Sequence, residues 1–279
     1  MKQRILVAVV GIPLLLLILV WAPDWATMAL MMLLSVIGAH ELMNALCGAE
    51  KAKRWWGLAS TMSVFTVICV AWSQDSYRAM GLGLLGKIFL ALFIVLTLVC
   101  MVTEYGKENA LTFTDIAAIF TSGIAIPLAL SCLLRLRMLP HGGGIVLIPL
   151  VAAFCSDSAA LFAGMAFGKH KLAPLVSPKK TVEGAVGGLV GGMVGMVLFR
   201  IIFFFCTVQK LNILWCILLG LVGAAMGQLG DLSFSAIKRQ CGIKDYGRLL
   251  PGHGGVLDRF DSVIFAAPVV WLIVSHVAL

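Results

Sequence analysis

The chain has 279 residues, of which 61% are apolar and 12% charged, and its formal net charge is +8. Soluble domains are about 45–50% apolar and about 25% charged, so a soluble globular fold, a disordered tail, a collagen-like fibre and a small disulfide scaffold are all excluded. What remains is a polytopic membrane protein.

In hydrocarbon every backbone amide must be bonded internally, so the chain crosses either as helices or as a closed barrel. Barrel strands alternate over about ten residues, whereas the apolar runs here approach the ~20 residues that a ~30 Å core requires. The expected class is all-α, with nine spans over 5–22, 26–47, 57–73, 83–102, 112–134, 144–168, 184–206, 212–236 and 260–278. Met1, Lys2 and Arg4 precede the first run as in a signal peptide. That run is long and no small-residue cleavage site follows it, so it is kept as a span.

Nine spans place the termini on opposite sides. With the N-terminus inside, fifteen of the 21 Lys and Arg fall on cytoplasmic segments and six on the other side, which favours a cytoplasmic N-terminus. The two longest basic cytoplasmic connections, 169–183 and 237–259, are where chemistry is expected. Residues 1–140 are read as an N-terminal set of spans one to five, and 141–279 as a C-terminal catalytic region of spans six to nine. The positive charge serves orientation and anionic ligands; no nucleic acid is expected as a partner. Eight cysteines include no C-x-x-C pair and lie mostly inside apolar runs, so they are read as packing thiols.

Several motifs along the chain are decoys or open questions. His40-Glu41 lacks the second His of H-E-x-x-H, and Glu41 stays an open candidate inside span two. Gly81-Leu-Gly83-Leu-Leu-Gly86-Lys87-Ile88 overlaps two nucleotide patterns. It has Ile88 where a P-loop needs Ser or Thr, and it opens a membrane helix instead of following a strand. Gly184, Gly187, Gly188, Gly191, Gly192 and Gly195 form stacked G-x-x-x-G spacings, read as a surface for helix packing or dimerisation.

Acid inside the membrane is the informative feature, since a carboxylate at bilayer depth costs at least ~2.5 kcal/mol unless it lines a wet cavity or binds something. Asp157 and Asp231 are the clearest cases, while Asp115 and Glu41 could be packing groups near span ends. Helical steps of about 100° place Asp231, Ser235 and Lys238 within one ~60° sector. Lys244, Asp245, His253, Gly254 and Gly255 follow, then Asp258 and Asp261, three apart and helical neighbours. Neutralisation by nearby Lys and Arg would explain these carboxylates but not the Gly-rich 252–255, whose bare backbone would admit phosphate oxygens. Hard oxygens from Asp231, Asp258 and Asp261 suit Mg²⁺ beside substrate phosphates. In the other basic loop, Ser177-Pro178 reads as an N-cap and first helical position, bringing a helix start and two lysines, Lys179 and Lys180, to an anion.

These residues resemble the phosphatidate cytidylyltransferases, or CDP-diacylglycerol synthases. The resemblance is carried by the 27-residue run Ser235-x-Ile-Lys238-Arg239-x4-Lys244-Asp245-x-Gly247-x2-Leu250-Pro251-x-His253-Gly254-Gly255-Val-x-Asp258-Arg259-Phe-Asp261. A second block holds Asp157-Ser158, Gly168-Lys169-His170-Lys171-Leu172 and Ser177-Pro178-Lys179-Lys180-Thr181-x-Glu183-Gly184. Together they cover roughly 150–261. Phe234, where many members carry Glu, Val182 and Leu161 depart from the family pattern.

The resemblance implies condensation of CTP with phosphatidate to CDP-diacylglycerol and pyrophosphate in phospholipid biosynthesis. It implies a Mg²⁺ cofactor, with a second cation left open, and a homodimer in the cell membrane whose active site faces the cytoplasm. Asp231, Asp258 and Asp261 would hold the metal, and Lys238 would join them in catalysis. Lys179, Lys180, Lys238 and Arg239 would contact phosphate, and Ser177 and Thr181 would supply hydroxyl or helix-start contacts. Ser235, Lys244, Asp245, His253, Gly254, Gly255, Arg259 and Asp157 complete the expected substrate site. A CTP-dependent lipid kinase would release CDP instead. A transporter would distribute its charges along a transmembrane path.

Overall fold

The computed structural model describes residues 2–73, 82–107, 110–247, 249 and 254–277, without the side chains of 2–8 and 82. Met1, Gly81, Leu250, Pro251, Gly252 and His253 of the sequence reading therefore lie outside the described residues. The helices are α1 (Lys2–Val20), α2 (Asp24–Trp72), α3 (Leu82–Glu104) and α4 (Phe113–Phe120). A π-helical turn at Thr121–Ala125 continues α4 into α5 (Ile126–Arg137). After a single turn, α6 (Gly142–Ile145), come α7 (Ile148–Phe167), an antiparallel hairpin of β1 (Lys171–Ala173) and β2 (Ser177–Thr181), α8 (Val182–Thr207), α9 (Ile213–Gln240) and α10 (Leu257–His276).

The apolar runs read from the sequence fall on these helices. Spans two and three are the halves of α2, which Gly48 separates by leaving helical geometry at φ 78°, ψ 164°, a conformation open to glycine because it lacks a Cβ. Among the described residues six helical stretches are long and apolar enough to cross a membrane. The protein is thus a predominantly helical polytopic membrane protein, with one short hairpin among the described residues.

The chain divides into two compact units. The first comprises Met1–Ile18, Ala22–Arg135 and Ile243–Arg259. Its core sets small residues of α2, Ala39, Ala52 and Ala59, beside Met43, Met62, Leu111, Ala118 and Ile119. Thr66 Oγ1 donates to the Gly123 carbonyl at 2.8 Å, giving a partner to a carbonyl inside the π turn, where the regular helical ladder is displaced. Gly83 and Gly86 of the nucleotide-like motif meet the end of α2: a Cβ on either would lie 3.1 Å from backbone atoms of Trp72 or Cys69. They serve helix packing.

Asp115 is likewise accounted for by structure. Its Oδ2 accepts from Lys51 Nζ at 2.7 Å, Thr112 N at 2.8 Å and Thr112 Oγ1 at 2.7 Å. Thr112 Oγ1 in turn accepts from Asp115 N, a capping box that starts α4. Asp115 is buried, so Asp115→Asn should remove roughly 1–3 kcal/mol by weakening the cap and leaving the Lys51 ammonium uncompensated. A lower melting temperature with unchanged activity per folded molecule is expected; loss of turnover in fully folded protein would contradict this reading.

The second unit comprises Leu19–Trp21, Leu136–Gly242 and Phe260–Leu279. Here the glycine stripe of α8 is consumed inside the chain. Gly187, Gly191 and Gly195 face Ala163, Ala159 and Cys155 of α7, while Gly192 faces Ala224 and Gly220 of α9. Close helix approach of this kind is what small residues permit. Phe234 is buried and meets Phe265 of α10 edge-on, ring centroids 6.3 Å apart. All eight cysteines are free thiols.

One expectation is corrected. Ser177 and Pro178 do not open the helix; they lie in β2, whose Ser177 and Thr181 pair with Ala173 and Lys171. Pairing with β1 holds 177–181 extended, and the cap passes to Thr181, whose Oγ1 accepts from Gly184 N at 3.1 Å. Pro178 is tolerated because a two-stranded sheet consists only of edges.

Candidate functional site

In the second unit the polar sector predicted on α9 gathers partners. Asp231 Oδ1 accepts from Ser235 Oγ at 3.3 Å, and Asp231 Oδ2 meets Lys180 Nζ at 2.5 Å. Lys180 is delivered by the hairpin, which is fixed at both ends. At its base the Glu183 carboxylate accepts from Lys169 N at 3.1 Å and His170 N at 3.2 Å, and contacts His170 Nδ1 at 2.6 Å. At its turn Arg239 Nε donates to the Val176 carbonyl at 3.4 Å. Ser177 is half-buried, Lys179 exposed, and Thr181 buried by its capping role.

Gly230 lets α10 come against α9: a Cβ there would run into the Asp261 carbonyl and Phe265. Asp261 is thereby brought beside Asp231. It is buried, with Ser262 N donating to its Oδ1 at 2.7 Å. Asp157 stands on the exposed side of α7. Asp157, Asp231 and Asp261 lie within electrostatic range of one another, with Lys180 and Lys238 as cations facing them.

Beneath this group, Gln228 Nε2 donates to Ser156 Oγ at 3.1 Å and to the Ala185 carbonyl at 3.0 Å, tying α7, α8 and α9 together. The sequence reading missed Gln228, although an amide one turn ahead of Asp231, ending an apolar stretch of the helix, was a signal. Just past α9, burial raises the Cys241 thiol above its ordinary pKa. This disfavours the thiolate needed for nucleophilic chemistry.

The first unit holds the other signature residues. Asp258, buried in the first turn of α10, accepts with Oδ2 from Tyr246 N and Gly255 N, both at 2.9 Å. Gly254 has φ +85°, and a Cβ there would stand 2.7 Å from Asp258 Oδ2. Lys244, Asp245 and Arg259 are exposed. The open phosphate cradle expected at 252–255 is not what the described part shows. The Gly255 amide is engaged by Asp258, and the space beside its Cα is filled by the Glu41 carboxylate.

Among the described residues no three His, Cys, Asp or Glu side chains stand close enough together to clasp a metal ion, and Lys180 occupies one oxygen of Asp231. The donor chemistry is nonetheless that of a hard cation: carboxylate oxygens and no soft ligand. In composition, though not in spacing, the set suits Mg²⁺.

Carboxylates from three helices, with Lys238 on one of them and Lys180 on the hairpin, suit a polyanionic substrate. The family model described as "Cytidylyltransferase family" matches residues 2–277. The chain belongs to the cytidylyltransferase family. It is 30% identical over 268 residues to a phosphatidate cytidylyltransferase of Staphylococcus epidermidis, covering 96% of both chains. It is 33% identical over 192 residues to that of Bacillus subtilis, covering 68% of this chain and 69% of the relative. A Haemophilus influenzae phosphatidate cytidylyltransferase is 41% identical over 128 residues, or 46% of this chain and 44% of the relative. A cytidylyltransferase moves a nucleotidyl group, so the protein is a nucleotidyltransferase.

Proposed function

We propose that the protein is a phosphatidate cytidylyltransferase, joining CTP and phosphatidate into CDP-diacylglycerol with release of pyrophosphate. The observation that carries this reading is the grouping of Asp157, Asp231, Asp261 and Lys238, on largely apolar helices, with Lys180 of the hairpin. Carboxylates and ammonium groups in one place suit a reaction between two anions. The phosphate of phosphatidate is already ionised near neutral pH, as a phosphomonoester with a second pKa near ~6 is. No hydroxyl or thiol nucleophile needs activating. A lipid phosphate oxygen forms the new bond to the α-phosphorus of CTP, the bond from that phosphorus to the bridging oxygen breaks, and pyrophosphate leaves with the electron pair.

Lys180 is held against Asp231 before substrate arrives and passes to the triphosphate as CTP binds, which frees the Asp231 carboxylate. Lys238, Lys179 and Arg239 add positive charge along the phosphate chain. Asp231 and Asp261, with Asp258 one helical turn ahead of Asp261, would hold Mg²⁺. What Mg²⁺ supplies when bound is neutralisation of triphosphate and leaving-group charge. Ser235 orients Asp231 through its hydroxyl, and Gln228 fixes the helices below.

The nine-span arrangement with a cytoplasmic N-terminus belongs to this proposal. It puts the basic connections 169–183 and 237–259 where CTP arrives from the cytosol, while the acyl chains of phosphatidate stay in the cell membrane. A homodimer, as the resemblance implies, would use a face other than the glycine stripe of α8. The test is pyrophosphate release by the purified protein given CTP, phosphatidate and Mg²⁺, with each omitted in turn. Release dependent on all three is expected. CDP in place of pyrophosphate would mark a lipid kinase, and neither product would overturn the assignment.

A further inference from the structure

A carboxylate left out of the mechanism above is Glu41, buried in the first half of α2 at 4% exposure. Its Oε1 accepts from Val256 N and its Oε2 from Leu257 N, both at 2.9 Å, from partners 215 and 216 residues away. Leu257 is the first residue of α10, and the first amides of a helix have no partner within it. Glu41 supplies that partner from another helix. Two glycines make room for it: a Cβ on Gly247 would stand 2.5 Å from Glu41 Oε1, and one on Gly255 would stand 2.3 Å from the same oxygen. One turn back, Gly38 leaves space for Leu257, whose Cδ2 would lie 3.1 Å from a Cβ at that position. Gly38 and Glu41 thus form a socket on α2 for residues 255–257.

The neighbouring carboxylate completes the arrangement. Asp258 takes the amides of Tyr246 and Gly255, so two buried carboxylates take up four backbone amides, three of them consecutive at 255–257. Burying a carboxylate is costly unless it is well bonded, and this one is bonded to donors on the segment that carries the signature. Glutamine would not substitute: its amide offers one acceptor oxygen and would set an NH₂ group against the second N–H. The negative charge also complements the positive end of the α10 dipole.

We infer that Glu41 is a positioning residue for the transfer reaction, holding the 254–257 turn so that Asp258 and the first turn of α10 are set before CTP binds. This rests on the cytidylyltransferase reading above. It also gives Gly247 and Gly255 a purpose other than phosphate access, and it leaves anion binding to the lysines.

The test uses the full chain, purified and reconstituted with phosphatidate. Glu41→Gln should lower kcat roughly ten- to hundredfold, the scale of one lost charge-assisted hydrogen bond, with KM for phosphatidate unchanged. Amide hydrogen exchange should quicken across 254–259 while α7, α8 and α9 stay protected. Glu41→Asp, which keeps both acceptor oxygens, should restore much of the protection and part of kcat. Should Glu41→Gln prove poorly folded, a double-mutant cycle takes its place: Gly255→Ala should be damaging alone and nearly harmless on a Glu41→Ala background. Wild-type kcat and exchange in Glu41→Gln, or additive costs in the cycle, would overturn the positioning role alone. Failure of the unaltered protein to release pyrophosphate from CTP and phosphatidate would instead remove the cytidylyltransferase reading, and Glu41's part in the reaction with it.

Discussion

Asp231→Asn is expected to abolish turnover, by on the order of 10³-fold or more, while the protein inserts and folds normally. Asparagine keeps an oxygen to accept from Ser235 Oγ, and Asp231 is only partly buried, so little stability is at stake. The charge is what disappears, and with it the partner of Lys180 and the proposed anionic grip on a divalent cation. Losses of about 10²–10³ follow removal of one group that stabilises developing charge, and here one substitution disturbs both a cation site and the placement of a lysine. Binding should move the other way. Without Mg²⁺, CTP should bind the variant as tightly as the wild type or more so, because one negative charge is gone and Lys180 is released toward the triphosphate. Calorimetric titration of CTP beside single-turnover pyrophosphate release checks both signs. Turnover within tenfold of wild type, or CTP affinity lost together with turnover, would remove Asp231 from the proposed role.

Much of this arrangement was legible in the sequence because it depends on short-range pattern. The helices follow from uninterrupted apolar runs, and the clustering of Asp231, Ser235 and Lys238 follows from helical periodicity alone. The cap at Thr112 and Asp115 is equally local, a T-x-x-D start, although the sequence reading takes Asp115 only as a packing group near a span end. The errors arose where distant segments decide. Ser177-Pro178 has the chemistry of a helix start, yet pairing with 171–173 draws it into a strand and hands the cap to Thr181. The glycines at 254 and 255 have the chemistry of a phosphate cradle, yet carboxylates from Asp258 and from Glu41, more than 200 residues away, take up that space. No periodicity links Glu41 to Val256; only the folded chain does. The same pairing explains why Ile243–Arg259 groups with the first half of the chain, although its position in the sequence suggested the second.

Asp258 presents the second large effect, and its two plausible roles can be separated by two substitutions. One role is to hold the turn, through Oδ2 and the amides of Tyr246 and Gly255; the other is to lend charge beside Asp261 at the start of α10. Asp258→Asn keeps an acceptor oxygen near both amides and removes the charge, whereas Asp258→Ala removes both. Each charge-assisted bond is worth roughly 1.5–3 kcal/mol, so Asp258→Ala should quicken hydrogen exchange at Tyr246 and across 254–259 and lower the melting temperature. Asp258→Asn should keep most of that protection. If charge is what the reaction needs, both variants lose turnover by on the order of 10²–10³-fold, although only one has a loosened turn. Near-normal turnover in Asp258→Asn would confine the residue to the turn and leave the metal to Asp231 and Asp261.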